Sequence, residues 1–126
     1  MNDKLKVLVV NPNELPEVQY IDNTLEAKQK IVKGYIEYVY RENYPDIVFV
    51  CNEEGKINGM TYNRSIGQDI IAGPFIIAGD DPELEDVVSL TDEQIQKYQK
   101  VFNEKSISET NIELTNLFLK QSELSM

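Results

Sequence analysis

Short apolar runs alternate with polar breaks along the chain, and the spacing within each run predicts its element. Residues 4–10 (KLKVLVV) are apolar and β-branched and stop at Asn11-Pro12. Proline cannot continue a central ladder, so the pattern is a strand ended by a turn. Leu8, Val9 and Val10 are apolar on both faces, as in a strand well inside a sheet. Residues 17–21 alternate weakly and predict a short second strand, antiparallel to the first. Asn23 and Glu26 have capping-box spacing and open a helix over 24–33, with Leu25, Ile31 and Val32 on one side. Gly34 stands where a left-handed C-terminal cap is expected.

Residues 35–41 (YIEYVYR) predict a strand, and 47–51 (IVFVC) form the most strand-like run of the chain. Asn52-Glu53-Glu54-Gly55 predicts a hairpin into a strand over 56–60. Residues 58–68 (NGMTYNRSIGQ) keep no period and read as a polar functional loop bracketed by Gly59 and Gly67. Residues 74–78 (PFIIA) predict a last buried strand, with Pro74 at a strand start or edge. Thr91 and Gln94 form a second capping box, opening a helix over 92–104 whose apolar side is Ile95, Tyr98, Val101 and Phe102. From Ser108 on, Ile112, Leu114, Leu117, Phe118 and Leu119 predict a further short helix. Its stripe needs a surface to bury against, either exposed core or a second subunit, so a homodimer is one expectation. The resulting fold class is α+β: a twisted, largely antiparallel sheet of five or six strands with two packed helices. The core domain is placed at 1–105 and a C-terminal helical extension at 106–126.

With 126 residues, the chain has room for one such domain. Twelve Lys and Arg against 22 Asp and Glu give a net charge of -10. That charge argues against broad contact with a nucleic-acid backbone and against docking on an anionic membrane. The absence of histidine and the single cysteine exclude Ser-His-Asp and Cys-His catalysis, His- or Cys-cluster zinc sites and an internal disulfide. No apolar run is long enough to cross a membrane, no signal-peptide layout opens the chain, and one thiol fits a reducing compartment. A cytoplasmic protein is expected. No catalytic residue, cofactor or metal site is assigned: no Walker or GxGxxG pattern occurs, and Pro82 and Leu84 interrupt calcium-loop spacing in the acidic run.

Candidate chemistry concentrates around Arg64, the only Lys or Arg between Lys56 and Lys97. A guanidinium beside an aromatic ring and amides can hold a phosphate and read a base. The predicted ligand-binding set is therefore Arg64, Asn63, Tyr62, Asn58, Gln68 and Asp69, serving a small anionic nucleotide-like ligand. Arg64 holds phosphate, Tyr62 stacks, and Asn63 and Asp69 read base or ribose. The same residues have a structural reading, in which Asn63 and Arg64 tie the loop to Asp69 or to a sheet edge, and Asp69 stabilises a turn. Tyr35, Tyr38, Tyr40 and Tyr44 suit half-buried strands, with a base-stacking surface as the alternative. Asp80, Asp81, Glu83, Glu85 and Asp86 form either a solvated loop or a DNA-like decoy. Cys51 and Phe75 read as core.

Five segments in order, GYIE (34–37), CNEEGK (51–56), MTYNR (60–64), DIIAGPF (69–75) and SLTDEQIQKY (89–98), resemble a small family of domains of unknown function. That family occurs in phages, plasmids and conjugative elements of low-GC Gram-positive and related bacteria. The likeness runs from about Lys4 to Phe102, with Thr61 where the family commonly has proline. It implies a mobile-element accessory protein acting in the host cytoplasm and carries no established activity. Joined to the Arg64 segment, it leads to the expectation of a non-enzymatic anti-defence sponge for a nucleotide-derived immune signal. The alternative is an acidic protein–protein inhibitor or DNA mimic acting on a host defence protein.

Overall fold

In the computed structural model, which describes residues 4–84 and 86–104, strand β1 (Lys4–Val10) pairs antiparallel with β2 (Glu17–Asp22). Helix α1 (Leu25–Val32) follows, then β3 (Ile36–Val39) and β4 (Ile47–Asn52). A separate antiparallel hairpin comes next, β5 (Tyr62–Ile66) with β6 (Asp69–Ala72). Strand β7 (Phe75–Asp80), the two-residue β8 (Val87–Val88) and helix α2 (Asp92–Val101) complete the order. The main sheet runs β2-β1-β7-β4-β3, and β8 pairs with β7 at Gly79 and Asp80, beyond the Leu8–Val10 stretch where β1 does so. Every pairing in this sheet is antiparallel. The fold is α+β with a six-stranded main sheet.

Period-two alternation divides the central strands between two cores. Leu8, Val10, Ile47, Phe49, Phe75 and Ile77 face one side, where they meet α2 through Ile95, Tyr98 and Phe102, and the hairpin through Ile66 and Ile71. Val7, Val9, Val48, Val50, Ile76 and Ala78 face the other, with Val32 of α1 in their cluster. Because β1, β4 and β7 are covered on both sides, their sequences are nearly continuous apolar runs. Aromatic rings consolidate the α2 side: Phe49 and Phe102 meet edge-to-face with centroids 6.0 Å apart, and Phe75 and Phe102 do so at 6.2 Å.

Helix ends are set by specific side chains. Thr24, not Asn23, caps α1 by accepting from the Ala27 N–H at 3.1 Å. Asn23 instead accepts from Lys28 Nζ and donates to Asp86. The left-handed C-terminal residue is Lys33 (φ 65°), one position before the expected Gly34. The capping box of α2 matches its expectation, Thr91 and Gln94 exchanging hydrogen bonds of 3.1 and 2.9 Å. Gln94 and the Tyr98 hydroxyl also donate to the Asp46 carboxylate, which fastens α2 to the start of β4.

Two expectations about the middle of the chain need correction. Residues 56–60 form no strand; the chain coils back through turns, with the Asn58 N–H on Glu54 O and the Met60 N–H on Gly55 O, both at 2.9 Å. The segment 58–68 is not a functional loop over its length, because Tyr62–Ile66 is strand β5. Its inward positions carry Asn63 and Arg64 as well as Ile66, so apolar alternation could not reveal it. The predicted extension 106–126 lies outside the described residues, as does Glu85 of the acidic run.

Candidate functional site

Arg64 is the residue on which a solvent-facing anion site was expected, and the fold places it inside, 4% exposed. Its guanidinium donates to the Asn63 side-chain oxygen at 2.7 Å, to Glu14 O at 2.5 Å and to Phe102 O at 3.3 Å. Asn63, fully buried, donates its amide to Val10 O and Gly73 O, each at 2.9 Å. The pair therefore gathers the end of β1, the turn after it, the turn into β7 and the C-terminus of α2. Buried carbonyls left without donors cost free energy, and the planar fork of arginine serves several at once. Burial lowers the guanidinium's pKa from its ordinary value, opposed by the charge of Glu104. On this geometry Arg64 and Asn63 form an internal clamp, which is the structural reading of these residues, with the loop tied to β1 and to the turn into β7 instead of to Asp69.

The hairpin that the clamp holds forms one wall of a cleft of about 260 Å³. The opposite wall is edge strand β3 with Glu37 and Val39, and the end of β4 with Cys51 and Asn52; the 53–57 turn closes one end. Gly55 makes this closure possible, since a Cβ there would lie 2.5 Å from Ala72 O. Gly67 (φ 63°) opens the two-residue turn between Ile66 and Asp69 and so sets where Asp69 emerges.

Asp69 is the centre of the cleft's polar side. Its carboxylate accepts from Lys56 Nζ at 2.5 Å, from Arg41 Nη2 at 3.2 Å and from the Ile70 N–H at 2.8 Å. Burial pushes this carboxyl up, but the Lys56 hydrogen bond, the Ile70 N–H and the two positive charges outweigh it, leaving it below the ordinary carboxylate range. Asp69 is thus ionised at neutral pH. Arg41, Lys56 and Asp69 keep 39%, 53% and 45% of their side-chain surface, so the bridges stand at the boundary with solvent. Cys51 lines the same cleft, and its thiol is pushed up to about 12 by burial, with Glu37 adding to the effect.

The six predicted ligand residues therefore separate. Asn63 and Arg64 are interior. Tyr62 lies opposite Ala72 at the outer end of the hairpin, and Asn58 is exposed on the preceding turn. Asp69 reaches the cleft, and Gln68 lines the neighbouring hollow with Asn43. Asp69 orients Arg41 and Lys56, not Arg64. Those two cations were missed because each is flanked by acids in sequence, Glu42 beside Arg41 and Glu53 and Glu54 just before Lys56. The surviving signal was the CNEEGK turn itself. Among the described residues no group of three or more His, Cys, Asp or Glu could hold a metal ion, and no helix is long and apolar enough to cross a membrane.

These features define an α+β domain with a small charged cleft beside an edge strand, built on a buried Asn-Arg clamp. The chain belongs to the DUF3846 family, a domain of unknown function, whose profile matches residues 5–103. No curated protein and no solved structure matches it.

Proposed function

We propose that this protein binds, without turning over, a small nucleotide-derived signal, and that it serves a phage or mobile element by sequestering that signal from host defence. The observation that carries the binding part is the convergence of Arg41 and Lys56 on Asp69 in the 260 Å³ cleft. Half-exposed ion pairs contribute only about 0–1 kcal/mol each, so a ligand anion can share these cations at little cost. The volume lies just under the roughly 300–1,000 Å³ of drug-sized sites, which suits one nucleotide and not a string of them. A thiol pushed up to about 12 stays protonated at neutral pH, so the cleft wall offers no ready sulfur nucleophile. The mobile-element setting is supported by the motif resemblance.

Thermal-shift screening against cyclic nucleotides, mononucleotides and ADP-ribose tests the reading. At saturation, one ligand class is expected to raise the unfolding temperature. Arg41→Ala and Lys56→Ala should each abolish the shift while leaving the ligand-free protein within about 1 kcal/mol of native. Chromatography should return the ligand unchanged. Absence of any shift overturns the proposal. Salt-sensitive capture of a DNA-handling protein, lost on neutralising Asp80, Asp81 and Glu83, would put the inhibitor reading in its place.

A further inference from the structure

Resting on that reading, we infer that the cleft selects a ligand with a single negative charge, a phosphodiester of mononucleotide size such as a 3′,5′-cyclic nucleotide, over the corresponding phosphomonoester. Two cations line the cleft, Arg41 and Lys56, against three carboxylates, Asp69, Glu37 and Glu53. Asp69 already neutralises one positive charge, so the bridged triad offers a net charge of one to a ligand. A cleft of 260 Å³ is about 8 Å across if compact, so all five charges lie within roughly one Debye length of anything bound there at physiological salt. The five charges sum to -1, so even a first negative charge is held only by direct contact with Arg41 and Lys56 of the triad. A second has no cation left and meets Glu37 on β3 and Glu53 on the turn. A phosphomonoester carries about -1.5 to -2 at pH 7, whereas a phosphodiester carries one charge.

The same two glutamates favour a nucleoside ester over a bare anion. A carboxylate only accepts hydrogen bonds, and a ribose hydroxyl or an exocyclic amine donates them. A cyclic nucleotide therefore supplies one anionic group for Arg41 and Lys56 and donors for Glu37 and Glu53, within a single-nucleotide volume.

Isothermal titration of the full chain at pH 7.5, with each of the four common 3′,5′-cyclic nucleotides paired against its own 5′-monophosphate, decides the matter. At least one cyclic nucleotide should bind about tenfold or more tightly than its monophosphate. The double variant Glu37→Gln, Glu53→Gln removes two rim charges at nearly constant shape, and should bring that ratio within about threefold. A preference of purely steric origin would leave the ratio unchanged in the variant, and that outcome overturns the inference. So does a monophosphate that binds the native protein as tightly as its cyclic partner, while still leaving the sequestration reading intact. If no pair binds and the amide NMR signals of Arg41 and Lys56 do not move, the inference fails, and the sequestration reading then stands or falls on the ADP-ribose arm of the thermal-shift screen. Should the double variant unfold, the single variants Glu37→Gln and Glu53→Gln are read in the same way, each expected to narrow the ratio.

Discussion

Replacing Arg64 by alanine separates an internal clamp from a ligand contact. Among the described residues, the substitution removes donors from Asn63 Oδ1, Phe102 O and Glu14 O. Glu14 belongs to an exposed turn, so its carbonyl can turn to water; the other two lie in the interior. Leaving a buried acceptor unsatisfied costs about 1–3 kcal/mol, so two such losses amount to about 2–6 kcal/mol. Against a typical total of about 5–15 kcal/mol, that is a large fraction of the protein's stability. For a domain near 100 residues each kcal/mol lowers the melting temperature by about 4–8 °C, so a fall of at least about 8 °C is expected. Urea unfolding followed by tyrosine fluorescence is a clean assay, since the chain has seven tyrosines and no tryptophan. Arg64→Lys should fall between native and Arg64→Ala, because an ammonium keeps the charge but cannot span the same acceptors as a planar fork. An Arg64→Ala protein within 1 kcal/mol of native that has lost ligand binding would refute the clamp and return Arg64 to the ligand site.

Three further outcomes follow from named contacts. Burial raises the Asp46 carboxyl, but hydrogen bonds from Tyr98 and Gln94 outweigh it and hold it below its ordinary value. Asp46 therefore contributes stability that is full above the ordinary carboxylate range and is lost as pH falls through its lower folded value. Tyr98→Phe should cost about 1.5–3 kcal/mol at pH 7 and show a shallower loss of stability on acidification, read from urea midpoints between pH 6 and 2. Gly55→Ala places a methyl group 2.5 Å from the Ala72 carbonyl oxygen. The 53–57 turn must move off the hairpin, at a cost of about 1–3 kcal/mol seen in thermal unfolding, with changed amide shifts at Lys56 and Asp69. Cys51, 6% exposed with its thiol pushed up to about 12, should resist a thiol-specific chromophore at pH 8 in the folded protein and react promptly once urea unfolds it.

Much of the fold could be read along the chain, because the responsible physics is local. Strands β1, β4 and β7 announced themselves as β-branched apolar runs, and Thr91 with Gln94 marked the start of α2. Where two local solutions compete, neighbouring structure decides between them. Thr24 caps α1 because Asn23 is occupied by Lys28 and Asp86. Lys33 adopts the left-handed conformation, which leaves Gly34 free to continue toward β3. Strand β5 stayed hidden for a different reason. A buried asparagine and arginine look like surface residues until their acceptors are known, and the acceptors of Arg64 lie up to 50 residues away.

The chain's own order of residues was enough to set the α+β class, the two helices and the capping box of α2, the apolar strands and the absence of histidine chemistry. Each of these depends on side chains within a few positions of one another or on composition alone. Tertiary structure decided which charged residues face a cleft and which are consumed inside. Arg41 and Lys56 meet Asp69 across separations of 28 and 13 residues, while Arg64, closer to Asp69 in sequence than Arg41 is, turns into the interior. The physical reason is that a charge is placed by the partners that satisfy it, and those partners are assembled only when the sheet, the hairpin and α2 come together.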